Sequence, residues 1–211
     1  DDRLLETPAI AFGQTTNEII RMAEKARENL ELSMTAFENA DEQLIEKVYE
    51  NEKIINILNH DITRFLVKLS NSELSEEQKN CVGAYFHVVN DIERIGDHAE
   101  NIADLTSERI SKELQISEEA LEELKNMFKY TTNALEMSIE CFKEYDNVKV
   151  EKVSELEDRI DVLEKDLRMS HIRRLNSGKC DAVVGAVFLD LISNLERVGD
   201  HSMNIAGMIA N

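Results

Sequence analysis

The chain is 211 residues long and carries 43 acids against 24 bases, a formal charge of −19. A surface of that sign repels phosphate backbones, which excludes nucleic acid as a general partner, and three scattered cysteines (Cys81, Cys141, Cys180) with no Cys-x-x-Cys pair argue for reduced thiols and against a zinc or disulfide framework. One proline, seven glycines, no tryptophan and no apolar run near the ~18 residues of a membrane span describe a soluble, all-α chain long enough to bury a core.

Residues 1–14 read as a lead-in or linker, with Pro8 and Gly13 as breakers. Ile19, Met22, Ala23, Ala26, Leu30, Met34 and Phe37 recur at helical spacing and predict a first helix over about 15–39. Asn39-Ala40-Asp41-Glu42 offers a turn and a cap, and a second helix follows to about residue 70. Ser75-Glu76-Glu77-Gln78 has the form of a capping box and opens a third helix to about residue 113. Ser117 with Glu118 and Glu119 starts a fourth, to about 144, where the helix dipole favours acids. Tyr145-Asp146-Asn147 turns the chain into a fifth helix, which Gly178 ends with a left-handed cap. A sixth spans about 180–209.

The chain repeats itself. Asp91–Ala103 returns as Asn194–Ala206 at a constant offset of 103, with eight of 13 positions identical. Residues 52–58 return as 157–163 at an offset of 105. Long helices joined by short turns favour antiparallel neighbours. The expected architecture is two antiparallel three-helix bundles related by a pseudo-two-fold axis, over residues 15–113 and 114–211.

The repeated stretches carry acids four residues apart, which stack on one helix face and repel. Such pairs occur as Glu93/Asp97, Glu196/Asp200 and Glu157/Asp161, and the fourth position reads Glu52/Asn56. Carboxylates converging beside a helix seam are untenable without compensation, and a bound cation supplies it. The oxygen-rich, sulfur-free set suits magnesium, calcium, manganese or iron better than copper. The competing explanation is that Arg94 and Arg197 neutralise the acids without metal. His98 and His201 follow the aspartates, about 100° round the helix, and Asn101 and Asn204 lie four residues beyond them. The histidines read as supports for the carboxylates or as hydrogen-bonded surface residues rather than as ligands, and the two asparagines as amide supports for a carboxylate. Gly96 and Gly199 sit mid-helix, where glycine costs ~1 kcal/mol, so something is expected to approach the backbone there. His60, His87 and His171 have no counterpart in the other half and read as structural. The sequence holds no Gly-rich phosphate loop, no nucleophile elbow and no Glu-x-x-His pair of the di-iron type.

At Glu93–Ala103 and Glu196–Ala206 the sequence resembles the PhoU family, whose mark is a tandem three-helix repeat with Glu/Asp-x-x-x-Asp motifs; the likeness covers about residues 15–211. The resemblance implies a six-helix fold and metal clusters, of iron, zinc, manganese or nickel, on the bundle surface. It implies a role in phosphate transport and signalling rather than catalysis. Carried onto this chain, Glu157, Asp161, Glu196 and Asp200 would form one centre, and Glu52, Asn56, Glu93 and Asp97 a weaker one, since an acid is usual at Asn56. The lead-in from Arg3 to Ala11 is similar to the segment joining the membrane region of Na⁺/phosphate-cotransporter proteins to a C-terminal PhoU-like domain. That implies a cytoplasmic domain tethered to the inner membrane, with the transporter's membrane domain as partner, inorganic phosphate as a further ligand and room for a homodimer. Two alternatives stay open: a ferritin-like, carboxylate-bridged di-metal enzyme, and a metal-free helical interaction domain.

Overall fold

The computed structural model describes residues 1–209 and contains six α-helices, α1 (Pro8–Asn39), α2 (Glu42–Ser70), α3 (Glu76–Ser111), α4 (Glu118–Lys143), α5 (Asn147–Asn176) and α6 (Ala182–Ile209). The last two positions of the expected second repeat lie outside the described residues. The helix starts are where short polar side chains can satisfy free backbone donors. The Asp41 carboxylate accepts from the N–H groups of Gln43 and Leu44, and the hydroxyl of Ser117 from that of Ala120. At α3 both halves of the capping box form: Gln78 N–H donates to Ser75 Oγ at 3.1 Å and Ser75 N–H to Gln78 Oε1 at 3.0 Å. Gly178, at φ +71°, closes α5 in the left-handed region that glycine enters without strain.

The lead-in corrects the sequence reading. Pro8 opens α1 instead of delaying it, so the helix starts at residue 8 rather than near 15. At the first helical position proline's missing N–H would have had no partner and its fixed φ already suits the helix. Gly13 continues inside α1, and a Cβ there would meet nothing within 4 Å. Ahead of α1, Asp2–Glu6 forms a short 3₁₀ turn, with Leu4 and Leu5 against the core and Lys68 Nζ donating to both Asp2 oxygens at 2.8–2.9 Å.

Helices α1, α2 and α3 pack on one another, as do α4, α5 and α6; the halves meet along α3–α6 and α1–α4. One core runs through both halves, filled by Ile19, Leu30, Phe37, Ile92 and Ile95 on one side and Leu124, Phe188, Leu191 and Leu195 on the other. Two satellite clusters repeat the internal symmetry: Ala36, Val48 and Ala103 in the first half answer to Cys141, Val153 and Ala206 in the second. The order of the acids along α2–α3 and α5–α6 is therefore held by a frame that is packed twice in nearly the same way.

Candidate metal centres

Each half brings an acid of its middle helix to acids of its last. In the first, one oxygen each from Glu52 (α2), Asp97 and Glu100 (α3) lies within 4.8 Å of the others; in the second the same holds for Glu157 and Asp161 (α5) and Asp200 (α6). Glu93 and Glu196 stand one turn back from the aspartates at the edge of each group. Glu93 feels the charge of Asp97, and Glu196 those of Asp200 and Asp161.

Glu52 is the most constrained. It is 4% exposed, and neither carboxylate oxygen meets a hydrogen-bond donor among the described residues. Its pocket exists because α3 has glycine opposite: a Cβ on Gly96 would lie 2.9 Å from Glu52 Oε2. Gly199, at the matching position, does another job, since a Cβ there would lie 3.1 Å from Ile160 Cδ1. One glycine admits a carboxylate and the other a neighbouring helix.

The electrostatics of both groups are those of acids crowded without cations. Burial, then the charges of Asp97 and Glu100, push Glu52 up to about 8 from an ordinary 4.5. Glu157 is also pushed up to about 8, first by burial and then by the Asp200 and Asp161 carboxyls beside it. Glu196 rises to about 7 for the same reasons. Glu93 and Glu100 are raised too, chiefly by burial. In the second group Asp161 Oδ1 is buried with no hydrogen-bond partner among the described residues. The arginines do not resolve the crowding. Arg94 and Arg197 are exposed and form no ion pair among the described residues, and Arg94 lowers Glu93 by less than burial and Asp97 raise it.

Asn56 is exposed, and the third carboxylate within reach of Glu52 and Asp97 is Glu100. Glu100 was legible as the i+3 neighbour of Asp97, but the search for acids four apart passed over it. Among the described residues, His98, His201, Asn101 and Asn204 do not hydrogen-bond to the clustered acids. They cross the seam between the halves: His98 Nδ1–H donates to Asn194 Oδ1 at 2.8 Å and His201 Nδ1–H to Asp91 Oδ1 at 2.9 Å. Asn101 and Asn204 add Nδ2 donations to the same two oxygens, at 3.1 and 3.4 Å, and the imidazole rings lie 5.6 Å apart. The repeated Asp-His pair thus points two ways, the aspartate toward its own half's cluster and the histidine to the opposite half.

The donor set fits a hard cation. It consists of carboxylate oxygens with no sulfur and no competing ammonium, and a buried carboxylate without donors is the group that most needs a positive partner.

The PhoU domain family matches twice, over residues 19–106 and 124–209. The phosphate-specific transport system accessory protein PhoU homolog 1 of Thermotoga maritima is 29% identical over 194 residues, spanning 90% of this chain and 81% of that protein. A Clostridium acetobutylicum protein described as a PhoU homolog is 25% identical over 192 residues, 90% of this chain and 86% of its own length. Among solved structures, PhoU from Pseudomonas aeruginosa superposes with a TM-score of 0.89 at 18% identity, over 95% of this chain and 96% of that one. The phosphate transport system regulatory protein PhoU from Streptococcus pneumoniae gives 0.85 at 19% identity, over 97% and 95%. The fold is shared with both, and the chain belongs to the PhoU domain family.

Proposed function

We propose that this chain is a metal-binding regulatory domain of phosphate transport, non-catalytic, acting through contact with a phosphate transporter. The observation that carries the metal reading is Glu52, a carboxylate 4% exposed, without a hydrogen-bond donor among the described residues, within reach of two further acids. Burying like charges without a counterion costs several kcal/mol per ion; the nearest arginines do not offset it, so without a cation Glu52 holds a proton up to about pH 8, which a bound metal would displace. Glu52, Asp97 and Glu100 with Glu93 would hold one centre, and Glu157, Asp161, Asp200 and Glu196 the other. Iron, manganese, zinc or nickel in these positions would supply positive charge with open coordination sites at an otherwise acidic surface, where phosphate could bind.

The regulatory reading is supported by family membership and by relatives described as accessory or regulatory proteins of phosphate transport systems. No described helix is long and apolar enough to cross a membrane. A transporter's membrane region would therefore come from another segment or another chain, on the cytoplasmic side of the inner membrane. The short turn Asp2–Glu6, clasped to α2 through Lys68, is a fixed point from which such a connection could be oriented.

The test is calorimetric titration of inorganic phosphate into the protein after chelation and after loading with each of the four metals. Phosphate binding that appears only in a metal-loaded form supports the proposal. Binding to the chelated protein, or to no form, contradicts the phosphate part of it, and rapid turnover of dioxygen by the iron-loaded chain would instead support the ferritin-like enzyme.

A further inference from the structure

The second repeat buries polar side chains where the first buries leucine. At the offset of 105 that relates α5 to α2, His171 and Arg174 stand where Leu66 and Leu69 stand, and both leucines are fully buried. His171 is 1% exposed and Arg174 7%. Each keeps one nitrogen without a hydrogen-bond partner among the described residues, Nε2 of His171 and Nη2 of Arg174. The opposing helix makes the room: α6 has Gly185 where α3 has Val82, and a Cβ on Gly185 would collide with the His171 ring. A buried donor left unpaired costs about 1–3 kcal/mol, a cost that the leucines of the first half do not carry. Both side chains line a cavity of about 460 Å³ where the segment joining α3 to α4 meets the turn between α5 and α6.

We propose that this cavity binds a small monocarboxylate with an apolar body, its charged end toward Arg174 and Lys179. None of the clustered acids lines the cavity, so the site is separate from the metal centres. Leu114, Ile116, Val184 and Phe188 give it an apolar wall, and that size with few polar groups is typical of a small-molecule site. Arg174 is held in place: Nη1 donates to Glu123, and the guanidinium carbon lies 5.1 Å from the centroid of the Phe188 ring. A fixed guanidinium loses little freedom when an anion arrives. The Lys179 ammonium forms no ion pair among the described residues. The other charged groups are engaged or opposed: Lys112 donates to Glu108 at 2.8 Å, and Asp181 accepts from the Val183 N–H at 2.7 Å. Burial, then Arg174, hold the His171 imidazole below its usual value, so it adds no positive charge. What remains is one ammonium and a guanidinium shared with Glu123. That matches a single negative charge, and Glu113 and Asp181 at the same cavity repel a second, which disfavours a phosphate dianion.

Cys180 lines the cavity and is partly exposed, so its reactivity reports occupancy; Cys81, also partly exposed, lies outside it and is the control. The full chain is alkylated with iodoacetamide at pH 8, with and without octanoate, and each cysteine is followed by mass spectrometry. Saturating octanoate is expected to slow Cys180 at least about fivefold and to leave Cys81 within about twofold. Octanol and inorganic phosphate, each carrying half of the required chemistry, should protect far less. Lys179→Glu, an exposed substitution, is expected to weaken octanoate about tenfold, and buried Cys141 should stay unreactive in both proteins if the fold is intact. Calorimetric titration of octanoate into the wild type and Lys179→Glu measures the same loss without relying on the thiol. No octanoate binding, undiminished binding in Lys179→Glu, equal protection of Cys81, or protection by octanol or phosphate as strong as by octanoate overturns the proposal.

Discussion

The first repeat hides its key acid and the second leaves its acids half-open. Glu52 is buried under Gly96, while Glu157, Asp161 and Asp200 are only partly covered. Both arrangements leave carboxylates well above their ordinary range, so two different packings crowd acids to a similar degree. A duplicated frame fixes where helices cross; it does not fix which side chain on a given stripe delivers an oxygen, because donors three and four residues apart share a face.

The comparison can be broken most strongly at Glu52. Glu52→Gln keeps the shape and removes the buried charge, so it should abolish first-centre metal yet raise the melting temperature of chelated protein at pH 8. A lower melting temperature there would mean that the Glu52 charge is already neutralised within the fold. The same account fixes a pH dependence. Glu52 and Glu157 stand at about 8 and Glu196 at about 7 when folded, above an ordinary 4.5, so folding takes up protons. The stability they add is full below the ordinary value and is lost as pH rises through about 7 to 8. Chelated protein should therefore melt at a lower temperature at pH 8 than at pH 5.5, and metal should restore most at the higher pH, where fewer protons compete. Differential scanning calorimetry across that range checks the sign.

Smaller effects separate the glycines. Gly96→Ala places a methyl against the Glu52 carboxylate and should displace it, and on the proposed metal reading lower first-centre metal by elemental analysis, with a gain in helix propensity of up to ~1 kcal/mol as partial compensation. Gly199→Ala presses on Ile160 instead, so its cost should appear as about 1–3 kcal/mol of stability with second-centre metal retained. The smallest expected change is at the exposed arginines: Arg94→Ala with Arg197→Ala should alter chemical-denaturation stability by under about 0.5 kcal/mol per site and leave metal content unchanged. A large loss would revive the metal-free domain neutralised by arginine.

Much of the fold was legible because its signals are local. The 3.6-residue stripe, the Ser75/Gln78 capping box and Gly178 each specify an element edge without tertiary information, and the doubled motif set the three-plus-three order. The start of α1 was missed because Pro8 and Gly13 break helices only in certain positions, and the sequence alone did not show that Pro8 stands at the first turn. In the site, the acids common to both repeats were legible from spacing. Glu100 could be seen as the i+3 neighbour of Asp97, but its place beside Glu52 depends on how closely α2 approaches α3, which spacing along one helix does not give. The histidines were placed at the right angle off the acid stripe, but spacing could not name their partners: Asn194 and Asp91 lie on the opposite half, about 100 residues away in the chain.

The most direct measurement is metal content by inductively coupled plasma mass spectrometry on untagged protein: the wild type, a first-centre variant (Glu52→Gln with Glu100→Gln) and a second-centre variant (Glu157→Gln, Asp161→Asn, Glu196→Gln, Asp200→Asn). Two carboxylate-built centres predict a transition metal in the wild type, a distinct part of it lost in each variant, and none left when the two sets are combined. Equal metal in all of them, or a wild type that takes up no metal from a replete medium, would contradict the account.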